Sequence, residues 1–523
     1  MGETNMEGPV AILRSWSVHT VAAVVFVYVL LKVFRRVRHK SGRRPPGPPS
    51  LPLIGHLYHL TQGLPHHTLA KMAEKYGSIM WLDVGALSVV VVSSPDMARE
   101  ILKTQDHIFA SRPSGLTIEY VFGQGQDLLF CPLNDHLRRV RKFFSSQLLS
   151  LQRIDSFKDL RRDTLFKTMA KAYEEGHANR YINFSDVMHE LFITTTTAMV
   201  FRRGAGAHIQ DFTEILMEMS NSEWFSIGDI FPLLKPLDLD GQVKRLKMAG
   251  EKSSKLMDSI IDNRLKEKTK SMSYEEEDFL DVLLTTSGFT RDQVKYLILD
   301  IVAAGTDTTS GTIVWGMTEL LRHPNIMERL QSELDDVIGK ERMVEEADLR
   351  NLEYLQAVVK ETLRLHPPAM LGVPHSSTEA TKVAGYDIPA NTWVIVNIHA
   401  ISTDPKVWEN PLKFDPSRFL NSRIDVRGQH YEVLPFSSGR RLCPGMNLGL
   451  VSVAYTLAQL VHACSISLPE GLTPLDVDVE ETFGLTVRKR NPLNLLLTRR
   501  LPSDVYHKAG LNGIGQSRIP VDT

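Results

Sequence analysis

The sequence places Cys443 where its thiol could do chemistry. It lies in the run VLPFSSGRRLCPGM at residues 433–446, between a predicted strand and a predicted helix. A helix N-terminus and neighbouring arginines both lower the pKa of a thiol, and the thiolate is the form that binds a metal or attacks an electrophile. Gly439 and Gly445 would let a large flat ligand approach the backbone. The alternatives are an ordinary half-buried cysteine and a nucleophile with a histidine neighbour, which no sequence feature supplies.

A group of polar residues interrupts an otherwise apolar helical pattern. The spacing of apolar residues predicts a helix over residues 291–321, and Thr290 and Gln293 have the spacing of a capping box at its start. The central stretch GTDTT, residues 305–309, consists of poor helix formers whose hydroxyls compete for backbone hydrogen bonds. The pattern alone therefore predicts that a new helix is capped at this stretch.

Glu361 and Arg364 lie three residues apart in a predicted helix over residues 349–365. They share one face of that helix and could form a solvated pair that contributes roughly a few tenths of a kcal/mol. Burial would give the pair a structural role, because a buried charge that loses its partner is costly.

The composition excludes several classes of protein. The chain has 523 residues, 43% hydrophobic and 23% charged, as in an ordinary globular protein. Its 60 basic and 61 acidic residues give a net charge of -1, which argues against a nucleic-acid partner. Cys131, Cys443 and Cys464 are too few and too scattered for a disulfide framework or a cysteine zinc site. The motifs of P-loop, zincin, serine-hydrolase and Rossmann proteins are absent.

An apolar segment near the N-terminus predicts a membrane anchor. Residues 18–31 are almost wholly apolar, and seven basic residues follow within residues 32–44. Basic flanks stay in the cytosol, so we expect the N-terminus in a lumen and the body of the chain in the cytosol. A cleaved signal peptide would need a small-residue cleavage site, and a buried helix would leave the basic block unexplained. We assign residues 1–44 to this anchor and its stop-transfer segment.

The rest of the chain is predicted to form one domain. Residues 45–50, PPGPPS, form a stiff hinge, because proline fixes φ and lacks an N–H group. No internal repeat or composition shift divides residues 51–507, which we expect to be mostly α with a smaller β region. Residues 508–523 contain several glycines and are predicted to be a disordered tail.

The spacing of apolar residues also locates individual elements. Helical spacing dominates residues 96–365 and returns at residues 447–464. Runs rich in β-branched residues predict a hairpin at residues 79–92 around Gly85. Similar runs at residues 382–388 and 393–398 predict a second pair of strands.

Five separated motifs resemble those of the cytochrome P450 family. The spacing Phe-x-x-Gly-x-Arg-x-Cys-x-Gly is similar to the family's haem-binding signature, and it is filled by Phe436, Gly439, Arg441, Cys443 and Gly445. The other four resemble the oxygen-activating, ExxR, PERF and hinge motifs, and they are AGTDTT at 304–309, ETLR at 361–364, DPSRF at 415–419 and PPGPP at 45–49. The resemblance spans residues 18–501, and the runs LRLHPP and FGLTVRK are most similar to the plant A-type clan of microsomal enzymes.

The resemblance implies the P450 fold, one N-terminal transmembrane helix and haem b (iron protoporphyrin IX) as cofactor. It makes Cys443 the axial thiolate of the haem iron, a ligand that favours O–O bond cleavage. It makes Arg441 and His375 partners of the haem propionates, since a guanidinium fork suits a carboxylate. The family also has a tryptophan and an arginine four residues apart on one helix. In this chain the arginine is Arg141, but Leu137 stands at the position of the tryptophan. Leucine cannot donate a hydrogen bond, so we expect this helix to hold the haem propionates less firmly than in the family.

The resemblance assigns roles to two further groups of residues. Glu361, Arg364 and Arg418 would form a buried network that supports the cysteine loop, so its loss would damage folding or haem retention more than chemistry. Asp307 would relay protons from solvent, and Thr308 would hold a water in the active site. The substrate cavity would be lined by residues from 114–122, 201–231, 297–308, 368–373 and 483–487.

The function implied by the resemblance is that of a haem-thiolate monooxygenase. Such an enzyme uses O2 to oxidise a small apolar or aromatic secondary metabolite, with NADPH electrons from NADPH-cytochrome P450 reductase. It would be a single-pass protein of the endoplasmic reticulum membrane with a cytosolic catalytic domain. One alternative is an O2-independent isomerase or dehydratase of a peroxide, which would not need Asp307 and Thr308. The other is a non-catalytic haem-binding protein, which would show no substrate-dependent NADPH consumption.

Overall fold

The computed structural model describes residues 42–202, 205–220, 226–270, 277–285 and 288–511. The predicted membrane anchor falls almost wholly on residues 1–41, which lie outside the described residues. The same holds for residues 512–523 of the predicted tail.

Helices dominate the described part of the chain. The helices of eight or more residues are α1 (Pro65–Tyr76), α2 (Asp135–Phe143), α3 (Lys158–His177), α4 (Phe184–Phe201), α5 (Ile209–Ser220), α6 (Gln242–Lys270), α7 (Arg291–Arg322), α8 (Pro324–Ile338), α9 (Glu353–Leu365) and α10 (Met446–Ala463). Shorter α-helices span Leu57–Leu60, Pro95–Arg99, Asp106–Phe109, Leu116–Tyr120, Leu151–Ser156, Ile227–Ile230, Phe279–Thr285, Ile398–Ser402 and Ser503–Lys508.

The strands form small sheets beside the helices. They are β1 (Ile79–Val84), β2 (Leu87–Val92), β3 (Ile182–Asn183), β4 (His375–Ser376), β5 (Thr381–Val383), β6 (Tyr386–Ile388), β7 (Trp393–Val396), β8 (Cys464–Ser467), β9 (Glu481–Thr482), β10 (Arg488–Lys489) and β11 (Asn494–Arg499). The largest sheet has the order β1-β2-β7-β4, in which β2 and β7 are parallel and the other neighbours antiparallel. A second sheet has the order β3-β11-β8, and β5-β6 and β9-β10 are separate hairpins.

The predicted long apolar helix is present as α7, which runs through the core between α4 and α10. Its capping box forms as expected, since Thr290 Oγ1 accepts from the Gln293 N–H and Gln293 Oε1 accepts from the Thr290 N–H. The helix break that the pattern alone predicts at residues 305–309 is wrong. Thr306 and Thr308 donate their hydroxyls to carbonyls one turn earlier, so these polar groups are satisfied within a continuous helix.

Two helices in the described part, α7 and α10, are long and apolar enough by composition to cross a membrane. In each of them, 67% of the apolar window is buried inside the protein. Their apolar character is therefore explained by the core of the domain.

Three predicted elements differ from the structure. The run at residues 382–388 is not one strand but a hairpin, because Ala384 and Gly385 both adopt positive φ and reverse the chain between β5 and β6. The expected partner strand, β7, pairs with β2 and β4 instead. Helix α9 begins at Glu353 rather than at residue 349, because the preceding residues form a separate 3-10 helix, Glu346–Asn351.

The boundaries of the predicted hinge and tail also differ. Pro45 and Pro48 are buried, and the Pro46 carbonyl accepts a hydrogen bond from the Trp81 N–H at 2.9 Å. The hinge is therefore packed against β1. At the other end the structured chain extends past residue 508, since Leu511 is 1% exposed and its carbonyl accepts from Arg499.

Candidate functional site

A cavity of about 330 Å³ lies between the middle of α7 and the loop that carries Cys443. On the α7 side its wall includes Ala304, Asp307 and Thr308, and on the other side it includes Phe436 and Cys443. The cavity thus brings together the two motifs in which the sequence suggests chemistry, although they are more than a hundred residues apart.

The loop before α10 presents the Cys443 thiol to the cavity. It is closed by a hydrogen bond from the Cys443 N–H to the Phe436 carbonyl at 2.9 Å, and it is not preceded by the strand that we expected. Burial raises the pKa of Cys443, while the backbone N–H groups of Gly445 and Met446 and the nearby Arg141 lower it. The helix N-terminus favours the thiolate, but burial outweighs it, so the pKa of Cys443 is raised rather than lowered as the sequence suggested.

The two arginines next to Cys443 in sequence do not act on its thiol as the sequence suggested. Arg440 points to the surface and pairs with Asp106, with 3.1 Å between Nε and Oδ1. Arg441 turns the other way, where its guanidinium donates to the carbonyls of Ala110, Leu128 and Cys131. The cation near the thiol is Arg141 of α2, which tertiary structure brings from three hundred residues away.

The two glycines of the loop have different roles. Gly439 has φ +64°, and a Cβ there would lie 1.9 Å from the Leu102 carbonyl oxygen, so the glycine permits close backbone packing. Gly439 is not among the residues that line the cavity. Gly445 does line it, and a Cβ at that position would lie 3.9 Å from the Cys443 sulfur.

Four basic side chains line one side of the cavity: Arg112, Arg141, His375 and Arg441. Arg441 and Arg112 are buried and donate to main-chain carbonyls, Arg112 to those of Leu129, Val373 and Pro374. Arg141 donates to the Leu442 carbonyl at 2.9 Å. Sequence reasoning missed Arg112, because an arginine in the run SRPSG has no distinctive spacing.

The pKa values of these groups reflect their burial and mutual repulsion. Burial and the charge of Arg441 hold the pKa of Arg112 well below its usual range. Burial also lowers the pKa of Arg441 to about 10. His375 donates from Nδ1 to the Phe109 carbonyl at 2.9 Å, and burial together with the charge of Arg112 holds its pKa well below the usual range. His375 is therefore neutral, and its protonation would be favoured by a neighbouring anion.

Two buried carboxyl groups bond to the segment whose carbonyls accept hydrogen bonds from these arginines. Asp300 of α7 accepts from the N–H groups of Leu128 and Leu129, and Asp127 accepts from that of Phe130. Burial raises the pKa of Asp127 to about 7, and burial together with Asp127 raises that of Asp300 well above its usual range. The pair therefore retains protons and does not neutralise the arginines fully.

The residues around the cavity fit a haem group. Among the described residues, Arg112, Arg141 and Arg441 form no ion pair with a carboxylate, so the cavity presents a surplus of positive charge, which is buried at Arg112 and Arg441. The two propionates of haem are carboxylates, and guanidinium groups pair well with carboxylates. Cys443 supplies the thiol that an axial ligand requires, on the same cavity wall. Leu137 is buried in the core and does not line the cavity, so only Arg141 of the expected helical anchor reaches it.

Asp307 and Thr308 lie on the cavity side of α7, with different surroundings. The Asp307 carboxylate is 8% exposed and pairs with Arg488 of β10 and with His189 of α4, whose Nε2 lies 3.3 Å from Oδ1. Thr308 donates its hydroxyl to the Ala304 carbonyl at 2.7 Å and also lines the cavity. Thr306 is fully buried and does not line it. Sequence reasoning missed the two basic partners of Asp307.

The structure brings Glu361, Arg364 and Arg418 together. Arg364 forms a bidentate pair with Glu361, with both N–O distances 2.7 Å and both side chains fully buried. Arg418 Nε lies 3.4 Å from Glu361 Oε1, and the Asp415 N–H donates to the same oxygen. Arg364 also donates to the carbonyls of Ser402 and Pro411. The solvated-pair interpretation is therefore wrong.

Each segment expected to line the cavity contributes to its wall, and several further segments do so, among them helix α4. Helix α4 was not expected there, and its contributing residues are Phe192, Thr195, Thr196 and Met199. Their i, i+3, i+4, i+7 spacing defines one face of a helix and could have been found in the sequence.

Comparisons with known proteins agree with this arrangement. The family model described as Cytochrome P450 matches residues 45–496. The chain is 37% identical to premnaspirodiene oxygenase from Hyoscyamus muticus, over 91% of this chain and 96% of the relative. It is 38% identical to germacrene A hydroxylase from Barnadesia spinosa (91% and 96%) and 36% identical to salviol synthase from Salvia pomifera (91% and 97%).

A solved structure with a similar fold is a zebrafish cytochrome P450 determined with abiraterone. The TM-score is 0.69 at 26% sequence identity, and the match covers 83% of this chain and 99% of that chain.

Replacing Glu361 with glutamine tests the buried network. Glu361→Gln preserves the side-chain shape but leaves the Arg364 charge buried without its partner, so we expect a loss of about 3–5 kcal/mol in the free energy of unfolding. Asp159→Asn is the control, because its pair with Arg162 is solvent-exposed and we expect a loss of at most about 1 kcal/mol. Urea denaturation of both variants measures the difference, and similar small losses would contradict a structural role for the network.

Proposed function

Because the chain belongs to the cytochrome P450 family and is a monooxygenase, we propose that it oxidises a small apolar secondary metabolite in the cavity beneath α7. Its cofactor is haem b, with Cys443 as axial ligand. Its electrons come from NADPH through NADPH-cytochrome P450 reductase. Residues 1–44 anchor it in the endoplasmic reticulum membrane, with the catalytic domain in the cytosol. The observation that carries the proposal is that Cys443, Thr308 and four basic side chains line one cavity.

Cys443 and the basic side chains are the residues that would hold the haem. When bound, a thiolate-ligated haem supplies the activation of O2 for insertion into a C–H bond or a related oxidation. Arg112, Arg141 and Arg441 would neutralise the propionates, since they are cationic side chains that line the cavity. His375 would join them once an anion favours its protonated form.

Thr308 and Asp307 would control protons on the opposite wall. The Thr308 hydroxyl donates to the Ala304 carbonyl, so its lone pairs face the cavity and can accept from a water there. Asp307 is nearly buried, and its route to solvent passes His189 and Arg488, which are 23% and 39% exposed. A proton moving inward would therefore pass through the ion pairs of Asp307 before it reaches the water on Thr308.

The other side chains that line the cavity favour an apolar substrate. Phe122, Leu216, Met219, Ile301 and Leu485 contribute apolar side chains to it. Two relatives are named for oxidation of the terpenoids premnaspirodiene and germacrene A, and we extend a substrate of that apolar character to this chain. An O2-independent isomerase would not need the Asp307–Thr308 pair, and a haem sensor would not consume NADPH on binding its ligand.

Cys443→Ser tests the axial ligand. A neutral alcohol is a poor iron ligand compared with a thiolate, so we expect loss of the red-shifted absorption of the reduced carbon monoxide complex. Cys131→Ser and Cys464→Ser are matched controls, because both thiols are buried away from the cavity and should leave that band in place. A Cys443→Ser protein that retained the band would show that another residue binds the iron.

Substrate character can be tested by titration of the haem-loaded protein. A sesquiterpene hydrocarbon should give a saturable change in the haem spectrum, whereas the carboxylic acid of the same skeleton should bind at least about tenfold more weakly, because the lining cannot replace the hydration of a carboxylate. Leu216→Asp should abolish hydrocarbon binding, and Met217→Asp should not, since Leu216 lines the cavity and its neighbour is 54% exposed. Equal binding by both variants would contradict an apolar substrate at this wall.

Thr308→Ala tests proton control. We expect NADPH consumption to continue while product formation falls by up to about 10²-fold and hydrogen peroxide accumulates, because the alcohol that positions the water is gone. Thr306→Ala is the control, since its hydroxyl is bonded to the Val302 carbonyl away from the cavity. Thr309 also lines the cavity, so a mild effect of Thr308→Ala should become severe in the double variant with Thr309→Ala. Full coupling in that double variant would favour the O2-independent alternative.

A further inference from the structure

A group of three histidines and one glutamate, which we call the histidine cluster, lies apart from the residues that line the cavity. His66 and His67 are in the first turn of α1, Glu481 is in β9, and His399 is in the short helix Ile398–Ser402. These elements are distant in sequence and belong to none of the five motifs discussed above. None of the four residues lines the cavity.

The ligand atoms of the cluster have distances that suit a metal ion. The Glu481 Oε2 atom lies 2.8 Å from His66 Nε2 and 3.2 Å from His67 Nε2, and all three atoms lie within 4.8 Å of one another. A tetrahedral zinc ion with bonds of about 2.0 Å separates its ligand atoms by roughly 3.3 Å. Small side-chain shifts would therefore let these three atoms bind one ion.

The burial of the cluster favours a ligand over a simple surface ion pair. His66 is fully buried, Glu481 is 9% exposed, and His67 is 44% exposed, so the site has one open side. The Nδ1 atoms of His66 and His399 are buried and have no hydrogen-bond partner among the residues that the structure describes. A metal ion would bind His66 through Nε2, the atom that faces Glu481, so these Nδ1 atoms would not be ligands of that ion.

The surrounding rings hold the two imidazoles in place. His399 packs edge-on against both, with ring centroids 5.2 Å from His66 and 4.4 Å from His67. Phe483 stacks on His66 at 5.8 Å, and the side-chain amide of Asn397 donates to the His66 carbonyl. The ligand set is therefore preorganised by packing, which lowers the cost of ordering it around an ion.

We propose that His66, His67 and Glu481 form a zinc-binding site that fastens the β9–β10 hairpin to α1. Two imidazoles and one carboxylate are a ligand set that zinc prefers, with a water in the fourth position on the exposed side of His67. The consequence reaches the cavity, because the segment between β9 and β10 carries Leu485 and Thr486, which line its wall. A bound ion would thus restrict the motion of one part of that wall.

The test uses tag-free, full-length protein loaded with haem and freed of metals with a chelator. Titration calorimetry with Zn2+, together with metal analysis after gel filtration, should show one ion bound per chain. His67→Ala and Glu481→Gln should each weaken zinc binding by about tenfold or more, since each removes one ligand. His67 and Glu481 are chosen because neither is fully buried, and the reduced carbon monoxide spectrum should remain that of the wild type in both variants.

Two matched controls separate this site from adventitious binding. His177→Ala removes an exposed histidine at the end of α3, and Glu480→Gln removes the exposed acidic neighbour of Glu481. Both should bind zinc as tightly as the wild type. Absence of stoichiometric binding, or equal affinity in the cluster variants and the controls, would overturn the proposal.

Hydrogen exchange tests whether the ion fastens the hairpin. Zinc should slow amide exchange in peptides that cover residues 481–489 and the start of α1 in the wild type, and it should have no such effect in Glu481→Gln. Zinc binding that leaves exchange in these peptides unchanged would overturn the fastening role.

Discussion

The site depends on buried arginines that donate to main-chain carbonyls. Several carbonyls of segments without helix or strand, such as those of Leu128, Cys131 and Pro411, accept hydrogen bonds from buried guanidinium groups. A guanidinium offers five N–H donors in a rigid plane, so one arginine can satisfy several carbonyls from different segments. Arg441 joins residues 110, 128 and 131 to the cysteine loop in this way, and Arg364 joins residues 402 and 411 to α9.

Arg364 and the arginines at the cavity differ in how their charge is balanced. That difference distinguishes the arginine that supports the fold from those that could bind an anionic ligand. Arg364 has a bidentate carboxylate partner in Glu361, so its charge is compensated within the protein. Among the described residues, Arg441 and Arg112 donate only to carbonyls, and burial raises the pKa of the nearby Asp127 to about 7, so its charge compensates them only in part. Burial lowers the pKa of both guanidiniums, and neighbouring positive charges add to this effect, Arg441 at Arg112 and Arg141 at Arg441. An anionic ligand in the cavity would relieve it, so the protein fold and cofactor binding are energetically linked.

The sequence predicts what depends on local pattern and fails where tertiary contacts decide. The hairpin of β1 and β2, the capped helix α7 and the helix after Cys443 follow from periodicity and capping residues, and the structure contains all three. The direction in which Arg440 and Arg441 point could not be read, because each is fixed by partners more than three hundred residues away. Arg112 was missed because its partners are likewise set by tertiary contacts, whereas the α4 face has a helical spacing that the sequence contains.

The centre of α7 illustrates why a local rule fails at a functional site. Residues 305–309 are poor helix formers, and an isolated peptide of this composition would favour a cap or a turn. In the protein, α4 and α10 pack against this helix from both sides, and burial of the apolar residues before and after the polar stretch outweighs its low propensity. The threonine hydroxyls are satisfied by carbonyls one turn back, so the helix tolerates them at little cost. Packing holds this polar stretch in the helix, and the helix in turn places Asp307 and Thr308 at the cavity. A departure from local propensity is typical of a functional site.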